Sequence, residues 1–223
     1  ANGNALSYFY PTLSGVARSL NFYPIGDERA EDGIANVAFG LGKYIVDGGL
    51  TLRVCPYHPD KVLQTSEMEM ALRETQTRFY ALDLKNMGQN FSLDDGFNLL
   101  KLPVKEAEAD GSLNYIASTY DPYDMVIRDG IYPGGRKVIT FANILQHDVF
   151  PLPRILQLVQ KYGQGEMRRP VEIEFAVNFN AKEKNGTFYL LQIRPMVDMK
   201  ADLAEDLNLI PAEQILLRSE NAL

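Results

Sequence analysis

The sequence predicts an α+β fold, and three observations predict it. Short apolar segments suited to strands recur along the chain, divided by glycine and proline turns. Only one segment, residues 153–162, carries a strong amphipathic helical pattern. Two further strand-like segments, residues 171–178 and 187–194, flank an Asn185-Gly186 hairpin signal.

The elements follow in order. Tyr8-Phe9-Tyr10 opens a strand-like region that continues through Ser14-Gly15-Val16-Ala17. Residues 20–33 read as a loop, with Pro24, Gly26 and a charged run. Residues 34–39 suit a buried strand, although periodicity alone leaves a helix open. Gly40-Leu41-Gly42-Lys43 ends that run, and Tyr44-Ile45-Val46 suggests one or two helical turns stopped by Gly48-Gly49. Residues 51–54 read as a strand, with Val62-Leu63 as a candidate continuation after a proline turn. Residues 66–75 have helix-forming composition. Residues 77–84 place Phe79 and Ala81 on one strand face and Tyr80, Leu82 and Leu84 on the other. Residues 115–120 are strand-like and are followed by turn signals at Asp121-Pro122, Asp129-Gly130 and Pro133-Gly134-Gly135. Residues 138–141 form a short apolar strand. In the 153–162 helix, Pro153 suits the first turn, Ile155, Leu156, Val159 and Tyr162 share a face, and Gly163 is the expected stop.

Composition narrows the function classes. The 223 residues carry 22 Lys and Arg against 29 Asp and Glu, a net charge of −7. Hydrophobic residues make up 46% and charged ones 23%, which excludes a disordered chain. An acidic chain without a basic run argues against nucleic acid as a partner. The single Cys55 cannot form an internal disulfide and fits a reducing compartment, so a cytoplasmic location is expected. No apolar run approaches the roughly 20 residues that span a bilayer, no export signal is visible, and no membrane partner is expected. The start at Ala1-Asn2-Gly3-Asn4, without Met, suggests a piece of a longer polypeptide.

Chemistry concentrates in the last hairpin. With a period of two, Glu172 and Glu174 share one face of their strand while Val171, Ile173 and Phe175 share the other. On the following strand Gln192 and Arg194 share a face, opposite Tyr189, Leu191 and Ile193. If residues 181–185 are the loop, Asn180 faces Gly186 and Glu174 faces Gln192, and the polar groups cluster. If Asn185-Gly186 is a two-residue turn, Glu174 faces Val197 and they do not. The longer loop is favoured because it segregates polar from apolar side chains. Such a cluster suits a divalent cation on carboxylate oxygen and a phosphate on arginine. Read from the residues alone, it also suits a solvated strand face with cross-strand ion pairs. Gly40-Leu41-Gly42-Lys43 lacks the spacing of a phosphate-binding loop and reads as a turn. His58 and His147 have no ligand-spaced partners, and Cys55 reads as buried packing.

Taken together, Ser14-Gly15-Val16-Ala17, Gly40-Leu41-Gly42, Val46-x-Gly48-Gly49, the run 169–175 and Tyr189-Leu190-Leu191-Gln192-Ile193-Arg194-Pro195 resemble the nucleotide-binding domain of phosphoenolpyruvate synthases and pyruvate phosphate dikinases. The match is strong over residues 12–49 and 153–197 and poor over 50–152. The resemblance implies an ATP-grasp-like lobe, a mixed or antiparallel sheet with flanking helices. It implies ATP and magnesium as cofactors. Glu174 and Gln192 would hold the metal, Arg194 would contact the transferring phosphoryl oxygens, and Gly40, Gly42, Lys43 and Gln192 would meet the nucleotide. Ser14 and Gly15 would lie on a core strand beside it. The family usually has Glu after Gly-Leu-Gly, where this chain has Lys43.

The expected domain division is a lobe over residues 1–200, with 50–152 as an inserted or divergent subdomain and 201–223 as a tail or the start of another module. The implied function is part of an ATP-dependent phosphotransferase that phosphorylates a His and then pyruvate, inactive as this piece alone. Its partners are ATP, the remaining domains of the polypeptide and, in the whole enzyme, pyruvate. The alternatives are a degenerate nucleotide-binding or regulatory module, in which Lys43 marks lost catalysis, and a purely structural domain.

Overall fold

The computed structural model describes residues 8–85, 98–180 and 185–196. The expectations for the chain start and for the tail from Ala201 lie outside these residues, as do positions 181–184 of the expected loop. The strands and helices are β1 (Tyr8–Phe9), β2 (Leu13–Arg18), β3 (Ile34–Ala38), α1 (Lys43–Val46), β4 (Leu52–Val54), α2 (Met68–Arg73), β5 (Arg78–Asp83), β6 (Leu99–Pro103), β7 (Ala117–Asp121), β8 (Val126–Asp129), β9 (Arg136–Ile139), α3 (Ala142–Leu145), α4 (Leu152–Met167), β10 (Val171–Asn180) and β11 (Asn185–Pro195). The chain is therefore α+β.

Three sheets form, ordered β1-β5-β6, β11-β10-β2-β3-β4 and β8-β7-β9, and every pairing is antiparallel. The five-stranded sheet joins the two ends of the sequence, because β2 pairs with β10 across more than 150 residues. Alternation sets its faces. Leu13, Ala17, Val37, Val54, Ile173 and Phe175 are buried on one side. The ring of Phe175 lies over Gly15, where a Cβ would come within 2.2 Å of it. α4 covers this side, through Leu152 and Leu156.

The strands β5 to β9, within residues 50–152, build the two small sheets together with β1, and they share a core with the large sheet, to which β4 belongs. Tyr10, Phe39 and Phe79 pack edge-on and tilted, with ring centroids 4.5–5.2 Å apart. Tyr115 stacks on Phe179 of β10 at 4.4 Å. Such ring pairs add about 0.5–1.5 kcal/mol each beyond buried area.

Several local expectations need correction. Val62-Leu63 continues no strand. A 3-10 turn spans Leu63–Thr65, and the Thr65 and Ser66 hydroxyls donate to the carbonyls of Val62 and Leu63, so a local partner replaces a sheet ladder. Phe141 leaves the strand, taking a left-handed conformation at the N-terminus of α3. Gly163 does not stop α4, which runs on to Met167. A Cβ at Gly163 would sit 2.4 Å from Ile193 Cδ1, so this glycine lets helix and sheet approach closely. Tyr162 is 67% exposed. The buried stripe runs instead through Leu156 and Gln160. β8 and α3 carried no clear sequence signal, being four residues each.

Candidate functional site

The side of the five-stranded sheet away from α4 carries the polar residues of β10 and β11. Glu174 stands between Val16 of β2 and Gln192 of β11. Glu172, two residues earlier, stands between Arg18 and Arg194. The favoured register thus holds at this end of the hairpin. Nearer the turn it does not, since Asn180 faces Asn185 rather than Gly186. Asn185 and Gly186 belong to β11, so the two-residue turn does not form.

A bulge reconciles the two ends. Partners jump from Gln192 for Glu174 to Leu190 for Phe175, leaving Leu191 without one. The extra residue reverses the alternation. Tyr189 pairs with Ala176, in line with Glu174, while Ile193 pairs with Ile173 above the core. The expected grouping of Tyr189 with Leu191 and Ile193 is corrected accordingly.

Glu172 links both neighbouring strands. Arg18 Nε donates to its Oε2 at 2.7 Å, and Arg194 Nε donates to its Oε1 at 3.0 Å, with an Arg194 terminal nitrogen on the same oxygen. Burial pushes the Glu172 carboxyl up, but the two guanidiniums outweigh it and hold the group below the usual carboxylate range. The same contact raises Arg194 further. Arg194 is therefore aimed along the sheet by Glu172, with 57% of its side chain still exposed.

The Gly40–Lys43 turn borders this face at the other end. Ser14, two residues along β2 from Val16, donates from Oγ to the Gly40 carbonyl at 2.7 Å. Gly40 has φ +86, and a Cβ there would meet the Tyr80 carbonyl at 2.8 Å, so both backbone and space require glycine. Gly42 has φ −57 and only an ordinary contact with Ser14. Lys43 Nζ donates to Asp47 at 2.9 Å, and the Tyr80 hydroxyl donates to the other Asp47 oxygen at 2.8 Å. Lys43 first, and Tyr80 with it, hold Asp47 below the ordinary range.

Supports for this turn were missed in the sequence. The buried Gln76 side chain accepts from Phe39 N at 2.8 Å and donates to the Phe39 carbonyl at 2.9 Å, fixing the chain just before Gly40. At the β4 edge Arg53 grips Glu28, Asn21 and the Tyr23 carbonyl, closing the loop after β2. Neither pairing is marked by local spacing, since its partners lie 25 to 37 residues apart.

The histidines lie elsewhere. His147 Nε2 is 2.9 Å from Asp129, and His58 is 3.7 Å from Asp32. Cys55 is buried, which pushes its thiol up. Among the described residues no three His, Cys, Asp or Glu side chains gather as a metal cage. A cavity of about 530 Å³ opens on the α4 side of the sheet, and none of Gly40, Gly42, Lys43, Glu174, Gln192 and Arg194 lines it.

Residues 6–209 match the family model of the pyruvate phosphate dikinase AMP/ATP-binding domain. No curated protein matches the chain. The family match spans most of the 223 residues, and it includes β2, β3, the Gly40–Lys43 turn and the β10–β11 hairpin. The chain belongs to the AMP/ATP-binding domain family of pyruvate phosphate dikinase.

Proposed function

We propose that the face bearing Glu174, Gln192 and Arg194 holds the phosphates of ATP with magnesium, as an ATP-grasp-like lobe of a phosphoenolpyruvate synthase-like phosphotransferase. In the whole enzyme the phosphoryl group would pass to a His and then to pyruvate, with the remaining domains of the polypeptide as partners. The observation that carries this reading is the register that sets Glu174 opposite Gln192, two pairs from the Glu172–Arg194 contact and on the same face.

The donor set fits the metal. Magnesium takes oxygen ligands and is held by one or two carboxylates plus substrate phosphates, keeping several waters. One carboxylate at Glu174 beside the amide oxygen of Gln192 meets that need without a protein cage. When bound, the metal supplies charge neutralisation on the phosphate oxygens. The chain itself contributes position and positive charge. Arg194, held by Glu172 through Nε and one terminal nitrogen, presents its remaining N–H groups to phosphoryl oxygens, a stronger contact than one between neutral groups. Phosphoryl transfer needs little else from a protein beyond such placement. Gly40 and Gly42 keep side chains away from the backbone that borders the nucleotide.

Lys43 favours a second reading, a nucleotide-binding module without catalysis. It replaces a family carboxylate and is drawn to Asp47 within its own helical turn. Calorimetry separates binding from its absence. The full chain is expected to bind magnesium ATP weakly, and Glu174→Ala or Arg194→Gln is expected to weaken it by roughly tenfold or more. Equal affinity in wild type and both variants would refute the site.

A further inference from the structure

The cavity on the α4 side has features that the nucleotide face does not use. Lys161, Arg168 and Arg169 line it beside Gln164 and Tyr57, with Glu31 as its carboxylate. Three cations against one anion leave +2 on its walls, in a chain whose net charge is −7. The negative end of α4 subtracts only about half a charge. Lys161, Arg168 and Arg169 form no ion pair among the described residues.

The walls are fixed independently of any ligand. Gln160, 4% exposed, donates to the Arg18 carbonyl at 2.9 Å, and Gln157 donates to the Pro56 carbonyl at 2.7 Å. Ser19 and Val171 exchange hydrogen bonds at 2.9 Å. Arg168 occupies a left-handed position with φ +53 at the end of α4, where glycine is the unstrained choice. A volume of about 530 Å³ lies within the range of small-molecule sites.

We infer that this cavity is a second binding site, separate from the nucleotide face, for a small phosphate-bearing molecule held by Lys161, Arg168 and Arg169. Amide side chains at Gln164 and the Tyr57 ring bound the space around the phosphate.

The test is a titration of the full chain with inorganic pyrophosphate, followed by backbone amide chemical shifts. Saturable shifts are expected at residues 161–169 and at Ser19 and Tyr57, and they should persist in Glu174→Gln. The Arg168→Gln, Arg169→Gln double variant should weaken binding by roughly tenfold or more. Gly165→Phe serves as a control that preserves the fold, because nothing lies within 4 Å of a Cβ at Gly165 and the substitution favours helix. It should keep the melting temperature and lose binding. Absence of saturable shifts, shifts confined to residues 40–43 and 172–194, or undiminished binding in Gly165→Phe would overturn the inference.

Discussion

At the scale of single residues, Glu172 is the hinge of the site, although Glu174 carries the proposed metal contact. Its folded pKa lies below the ordinary unfolded value because Arg194 and Arg18 outweigh its burial. The resulting stabilisation is complete above the unfolded pKa and is lost as pH falls through the folded one. Thermal melts of wild type and Glu172→Gln between about pH 3 and pH 7 check this. The variant should be about 1 kcal/mol less stable near neutrality, where water takes over the half-exposed arginines, and the gap should close in acid. Gln76 presents a different case. Gln76→Leu leaves the Phe39 N–H and C=O buried without their present partner, costing about 2–4 kcal/mol in urea unfolding. The polar period of β10 was legible from the sequence, because alternation needs only neighbouring residues. The Arg18–Glu172 pair was not, since 154 residues separate its members.

At the scale of elements, hydrophobic periodicity found most strands and α4, and it failed where tertiary contact overrides a local signal. Gly163 reads as a helix stop, yet its lack of a side chain serves the contact with Ile193. The bulge at Leu191 reverses the alternation of β11 and has no sequence mark, because Leu190 and Leu191 look alike. The Gly-x-Gly turn offers a paired test of geometry. Gly40→Ala meets a left-handed φ and the Tyr80 carbonyl, so it should lower stability by about 1–3 kcal/mol. Gly42→Ala meets neither and should melt within about 0.5 kcal/mol of wild type. Equal losses would show that the turn is not held as described.

At the scale of the whole molecule, one buried cluster runs from Tyr10 to Val177 and includes Val104, Ile116 and Phe141 from the 50–152 stretch, which the family match also spans. Residues 50–152 thus share the packing that supports the face proposed for the nucleotide. The two sides of the large sheet divide the surface chemistry, with Glu174 and its neighbours on one and the cationic cavity on the other. Sequence alone could anticipate the first through a family motif. The second assembles from α4 and distant loops and carried no motif. The most direct measurement of the central claim replaces magnesium by paramagnetic manganese, which accepts the same oxygen ligands, and follows amide line broadening of the full chain with ATP present. The expected result is broadening centred on Glu174 and Gln192 that requires ATP and disappears in Glu174→Ala. Broadening centred elsewhere, or unchanged in that variant, would contradict a metal nucleotide seated on this face.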